Sequence, residues 1–317
     1  MTESLKEDKI VPSEYHGQRV DVVLATLFPD FSRSQLTRWL KDGAITLDQR
    51  PYKPKDKVSG GEHVKLEVIC ASRNDTIEPE AIPLSIVFED EHLLIVNKPA
   101  GLIVHPGAGN PRHTLVNALL YHAPSLQHLA RAGIVHRLDK ETTGLLLVAK
   151  TMSTHTSLVR QMQEREIQRH YLALVHGHII AGGTIDTFYG RHPRNRLKKA
   201  VCAQGRQAIT HYAIQKKYQH FTLLDVTLMT GRTHQIRVHM AHINHPVVGD
   251  PLYGGQARIP AGLQDELRQT VKQFKRQALH ACTLSFTHPH SQENLTFKAP
   301  LPDDFQSLLT ALDIHLV

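Results

Sequence analysis

The sequence predicts an α+β protein, with a mainly antiparallel mixed sheet in a larger domain and a small α/β module N-terminal to it. Three observations lead there. Apolar runs of strand length recur through the second half of the chain, with helical patterns scattered among them and no regular strand–helix alternation of the parallel kind. The 317 residues, 41% of them hydrophobic, suffice for two domains or one large domain with an appendage, and for a real core. A stretch without periodicity, mixing charge, Asn and Pro, interrupts the chain after residue 70. The expected division is a disordered tail (1–16), a small module (17–75), a linker (76–83) and a main domain (84–317).

In the module, residues 19–27 carry apolar side chains at helical spacing. A second helix restarts near Phe31, with Ser32 or Ser34 as its cap, Leu36, Trp39 and Leu40 as its apolar stripe and Gly43 as its stop. Residues 44–47 and 64–68 read as strands. Arg33, Arg38 and Lys41 make the second helix basic, which suits RNA binding. In the main domain, residues 84–88 and 93–96 flank an acidic turn and predict a hairpin. The turn residues Pro99 and Gly101 follow, expected to brace a functional loop. Helices are expected over 113–120, capped by Thr114 or a neighbour, and from 157 onward. Residues 132–135 and 145–149 read as buried strands, followed by strands at 171–175, 209–214, 221–228 and 279–286.

Composition narrows the class. A formal charge of +7 favours an acidic partner, and without an apolar run long enough to span a bilayer that partner is nucleic acid rather than membrane. The first residues are polar and mixed in charge, unlike a secretory signal. Cys70, Cys202 and Cys282 form no CxxC pair, so a reducing, cytoplasmic setting is expected. Histidines at 234, 239, 242 and 245 lie close together, but no H-E-x-x-H pattern accompanies them and Arg237 stands among them, so no metal is expected. Neither a phosphate loop nor a G-x-G-x-x-G turn is present, and no cofactor is expected.

The most informative run is His136-Arg137-Leu138-Asp139-Lys140, which sets one carboxylate between two bases. Such company keeps a reactive carboxylate ionised in a site that binds a polyanion. Asp139 falls in the connection between two expected core strands, where functional groups are held out by a rigid scaffold. A second basic run, 191–199, contributes Arg194, Arg196, Lys198 and Lys199 as phosphate contacts. Thr233 is expected to cap a helix that carries Ile236 and Arg237 in its first turn.

Residues 136–151 resemble the signature of the RluA-type pseudouridine synthases, HRLD followed by TGLLLVAK. Residues 230–239 are similar to that family's TGRTHQIRVH motif, 241–254 to its MAHxxHPxxGDxxYG segment, 97–101 to its NKPxG turn and 299–302 to its terminal APLP element. Residues 17–75 resemble the small RNA-binding module of the ribosomal S4 type, except that Asp48-Gln49-Arg50-Pro51 replaces the usual Asn-Gly turn. The resemblance implies isomerisation of uridine to pseudouridine without cofactor. It implies Asp139 as the essential carboxylate, acting as nucleophile or as base. Arg237 would be its bidentate partner and Tyr171 the ring that stacks on the extruded base. Arg137 would fill the space that the base leaves, and Lys140 would contact phosphate. The partner implied is 23S rRNA or a large ribosomal subunit precursor, at the helix 69 stem-loop or else at other sites on the same rRNA, with the enzyme a monomer. A catalytically idle rRNA chaperone and a metal-dependent RNA hydrolase are the readings from other classes. The Asp139–Tyr171–Arg237 set opposes the first, and the lack of a carboxylate cluster opposes the second.

Overall fold

The smaller unit runs β1 (Glu3–Ile10), α1 (Val20–Leu27), α2 (Arg33–Lys41), β2 (Ile45–Leu47) and β3 (His63–Cys70), with its strands in one antiparallel sheet ordered β1-β3-β2. This is a computed structural model, describing residues 3–28, 31, 33–70, 77–107, 109–195, 197–254, 260 and 262–314. Val20, Val23 and Leu24 of α1 and Leu36 and Leu40 of α2 recur at helical spacing and bury one face of each helix against Ile45, Leu47 and Leu66. Gly43, at φ 76°, ends the α2 segment in the left-handed conformation that glycine adopts without strain. Ser32 lies outside the described residues, and Ser34 falls inside the helix.

The first residues correct an expectation. Residues 1–16 read as a disordered tail, yet β1 pairs with β3 from Glu3↔Cys70 to Ile10↔His63. Low apolar content is a poor guide here, because an edge strand is held by backbone pairing and tolerates charge. Lys6 meets Glu67 of β3 across the pair. The Asp48-Gln49 turn keeps the geometry its Asn-Gly counterpart would give: both residues are left-handed (φ 46° and 60°), and Leu47 and Arg50 exchange backbone hydrogen bonds.

The larger unit comprises residues 77–317. Its elements are β4 (Ile86–Glu89), β5 (Leu93–Lys98), α3 (Leu115–His122), β6 (Thr143–Ala149), α4 (Met152–Glu164), β7 (Gln168–His176), β8 (Gly183–Arg191), β9 (Lys199–Val201), β10 (Arg206–Lys217), β11 (Phe221–Leu228), α5 (Gln235–His242), α6 (Asp265–Gln273), β12 (Leu279–Thr287), β13 (Asn294–Lys298) and α7 (Asp303–Ile314). The strands make one sheet ordered β4-β5-β6-β12-β7-β11-β10-β8-β9, with β13 hairpinned onto β12. All described pairings in it are antiparallel except β6 with β12, which meet in parallel through only His280↔Thr143 and Ala281↔Gly144. The α+β reading with a largely antiparallel sheet therefore holds.

Both faces of the sheet centre are covered. Leu94, Val96, Leu146 and Val148 pack into one cluster, and their alternating neighbours Leu93, Ile95, Leu145 and Leu147 into another. Two dry faces explain why β5 and β6 read as unbroken apolar runs. Each such side chain contributes roughly 1.5–3 kcal/mol of burial. Thr114 caps α3 in a reciprocal box with Asn117. Residues 77–83, expected to be linker, instead run along α3. Asn117 Nδ2 donates to Glu78 O and Glu80 N donates to Asn117 O, so their backbone finds partners there.

Residues 132–134 are buried as expected and Val135 is half-buried, but they form no strand. They belong to a 3₁₀ turn, Ala130–Gly133, and to a single bridge from Ile134 to Val148. Arg131, Ala132 and Gly133 are all left-handed, and a Cβ on Gly133 would sit 1.9 Å from Ala149 O. The chain turns directly over the end of β6, which leaves no room for a ladder.

Candidate active site

The loop between that turn and β6 carries Arg137, Leu138 and Asp139, and three other parts of the chain hold it. His136 Nε2 accepts from Leu147 N (3.1 Å) on β6. Lys98, at the end of β5 and with no exposed surface, donates its Nζ to the carbonyls of Pro99 (2.7 Å), Leu102 (2.9 Å) and Lys140 (2.9 Å). Arg276 Nη1 reaches Glu141 O, and Gln277 Nε2 reaches Thr142 Oγ1. Burial pushes the Lys98 amine down to about 7, against the pull of Glu141 and Asp139. Burial, with Arg169 nearby, pushes His136 down to about 3, so its ring stays neutral and serves as acceptor.

Asp139 lines a cleft of about 470 Å³ together with Arg137, Arg169, Tyr171 and Arg232. Arg237, from the first turn of α5, donates Nη1 to Asp139 Oδ2 at 2.9 Å. The expected bidentate grip is elsewhere. Arg237 Nε and Nη2 clasp Asp250 at 2.7 and 2.9 Å, and Asp250 also accepts from Leu252 N and Tyr253 N. The fully buried Asp250 takes the Nε–Nη2 edge of the guanidinium, and Asp139 receives a single bond from Nη1. Burial opposes the Asp250 carboxylate, but the hydrogen bonds and charge of Arg237 outweigh it and hold its pKa below the ordinary range. Sequence reasoning missed this residue's role, although Asp250 stands in the GDxxYG pattern.

Thr233 does not cap α5. The cap position is His234, left-handed at φ 61°, and no side chain caps the helix there. Thr233 is fixed instead by its carbonyl, which accepts from Tyr189 Oη at 2.6 Å. His234 Nε2 stands 3.9 Å from Asp139 Oδ1, and its Nδ1 is 2.9 Å from the Tyr253 hydroxyl. That hydroxyl also accepts from Lys199 N at 2.8 Å, so the start of β9 is tied to the His234 end of α5. The other clustered histidines are differently engaged. His239 bonds Thr210 and Thr187, His245 bonds His176 O, and His242 is exposed.

Tyr171 lies on β7, 4% exposed, and lines the same cleft as Asp139. Burial raises its hydroxyl pKa, with Asp139 adding to the rise and Arg169 opposing it, so the hydroxyl is protonated at neutral pH. Arg137 lines the cleft with its side chain exposed, and Lys140 is exposed. Arg194 is exposed in the β8–β9 loop, Lys198 sits 5.8 Å over the Tyr253 ring, Lys199 opens β9, and Arg196 lies outside the described residues. In the smaller unit Arg33 bonds Asp21 (2.8 Å), Arg38 is paired loosely with Asp42 (3.6 Å), and Lys41 is exposed.

Comparison with known proteins gives a consistent result. The family model described as RNA pseudouridylate synthase matches residues 92–242, and the model of the S4 domain matches residues 18–64. The chain is 51% identical over 303 residues to the ribosomal large subunit pseudouridine synthase D of Xanthomonas campestris pv. campestris, covering 96% of this chain and 91% of that one. It is 48% identical over 312 residues to the protein of the same name from Pseudomonas aeruginosa, covering 98% and 97%. Among solved structures it is similar to human RNA pseudouridylate synthase domain containing 1, with a TM-score of 0.55 at 28% identity, covering 73% of this chain and 89% of that one.

Proposed function

The chain belongs to the RNA pseudouridylate synthase family, and from that premise we propose that it isomerises uridines of large-subunit (23S) ribosomal RNA, at the helix 69 stem-loop. The observation that carries the site assignment is the 2.9 Å bond from Arg237 to Asp139 at a cleft lined by Tyr171. The reaction breaks the N1–C1′ bond, turns the base and joins C5 to C1′. Asp139 meets the ribose, as nucleophile at C1′ or as the base that takes the C2′ proton. Arg237, itself locked by Asp250, fixes the carboxylate in one orientation before substrate arrives. Tyr171 gives the extruded uracil a flat face, and its protonated hydroxyl is placed to donate rather than to accept. Arg137 fills the gap in the RNA stack, while Lys140, Arg194, Arg196, Lys198 and Lys199, with Arg33, Arg38 and Lys41 of the S4 domain, bind phosphate.

The test is to map pseudouridines in 23S rRNA incubated with the full chain. Modification within helix 69, abolished by Asp139→Asn, is expected. Label confined to other positions of the same rRNA would move the substrate, and shortened strands would mean hydrolysis. Arg237→Lys keeps the charge but loses the fork to Asp250. It should retain RNA affinity and lose roughly 10²-fold in rate. An unchanged rate would remove the pairing role.

A further inference from the structure

Among the described residues three arginines of the larger unit are almost fully buried: Arg169, Arg237 and Arg276, each 5–6% exposed. Two are matched by carboxylates. Arg237 holds Asp250 and Asp139, and Arg276 holds Asp304 at 2.6 and 2.7 Å. Among the described residues Arg169 has no carboxylate partner. Its Nη2 donates to Leu228 O at a long 3.3 Å, and its buried Nε has no partner. An unmatched buried cation is costly to fold, so it marks a place where an anion is expected to arrive.

Its location says which anion. Arg169 precedes Tyr171 by two positions on β7, so both side chains leave the same face of the strand, and both line the cleft that holds Asp139. Gly231, across the cleft, keeps space for it: a Cβ there would come within 2.9 Å of Arg169 Nη1. We propose that Arg169 is a catalytic residue that holds the negative charge of the departing uracil. The assignment rests on the isomerase reading above and adds to it the group that stabilises the leaving base.

The electron count requires such a group. When C1′–N1 breaks, its electron pair leaves with N1, and the base becomes a monoanion with charge spread over N1, O2 and O4. The ribose is balanced either by a new bond from an Asp139 oxygen to C1′ or by transfer of the C2′ proton to that oxygen. After rotation C5 bonds C1′. The Asp139–C1′ pair then returns to the carboxylate, or the proton returns to C2′. The proton lost from C5 is matched by one gained at N1, so product and substrate are isomers. Asp139 serves the sugar throughout, and nothing in its chemistry neutralises the base. A fixed guanidinium beside the stacking ring does so without moving.

The experiment compares full-length wild-type, Arg169→Gln and Gly231→Ala proteins in single turnovers at saturating enzyme. Two substrate RNAs are used, carrying uridine or 5-fluorouridine at the target position. 5-Fluorouracil is the stronger N–H acid, so its anion needs less help in leaving. Arg169→Gln should bind RNA as wild type does and cleave the uridine C1′–N1 bond about 10²–10³-fold more slowly. With 5-fluorouridine the deficit should shrink at least roughly tenfold. Gly231→Ala, which presses on Nη1, should show the same selective deficit at smaller size, and it keeps the test open should Arg169→Gln misfold. Equal deficits on both bases, or a loss confined to RNA affinity as a phosphate contact would give, overturns the proposal. Wild-type protein that forms no pseudouridine would defeat the isomerase reading instead, and that control is read first.

Discussion

The Asp139 carboxylate shares its arginine with a deeper one, Asp250, and the two have different jobs. Asp250 has no solvent-exposed side chain and Arg237 almost none, so breaking their pair leaves a buried charge unmatched. Asp250→Asn should cost about 3–5 kcal/mol of stability, read by urea unfolding, and should lower the rate with it. The pH dependence has a definite sign. The folded-state pKa of Asp250 lies below its unfolded value near 4, so its contribution is present above that value and is lost as pH falls toward the depressed one. Wild type should therefore weaken on acidification below about pH 4 more than Asp250→Asn does. Tyr171→Phe keeps the ring and removes the hydroxyl. It should leave RNA affinity intact and slow product formation, and equal rates would confine Tyr171 to stacking. At this scale the sequence is informative about Asp139 and its motif neighbours, because an acid among bases is unusual in itself. It is silent on Asp250 and Arg169, whose meaning lies in what does or does not stand opposite them in space.

Strands are the most readable elements. β11 matches its expected span and β5 nearly so, since short apolar runs of strand length, rich in branched side chains, suit a buried strand. Local pattern fails where long-range packing overrides it: β1 gains a partner strand, residues 132–135 are turned by Ala149 O, and α5 begins at a left-handed His234 rather than at a capping Thr233. The turn after β5 does the bracing expected of it, but through the Lys98 amine rather than through Pro99 or Gly101. Lys98→Met would leave three carbonyl oxygens without their donor, at about 1–3 kcal/mol for each that stays unsatisfied, and would loosen the loop beside Asp139. Its folded pKa of about 7 lies below the unfolded value. The folded chain thus binds fewer protons between pH 7 and about 10, and wild type should gain stability across that window while Lys98→Met does not. In the S4 domain the left-handed Gln49 carries strain, so Gln49→Gly should raise its thermal stability by about 1 kcal/mol.

For the whole molecule, the two units have separate cores, so each is expected to fold without the other. A chain starting at residue 77 should keep the isomerase fold, bind rRNA more weakly and show a shallower dependence of affinity on salt, because fewer phosphates are neutralised. An unchanged slope would take the S4 domain out of the contact. The domain order is visible in composition, whereas the sheet order is not, because a chain that returns at β12 to lie between β6 and β7 leaves no local trace. That return has an outcome for heat inactivation. The sheet's two halves are stitched by two residue pairs, at Thr143 and Gly144, a few positions from the carboxylate, and Gly144 lies so close to Ala281 that no side chain fits between them. Warming that parts this seam should silence the enzyme several degrees before circular dichroism registers any melting.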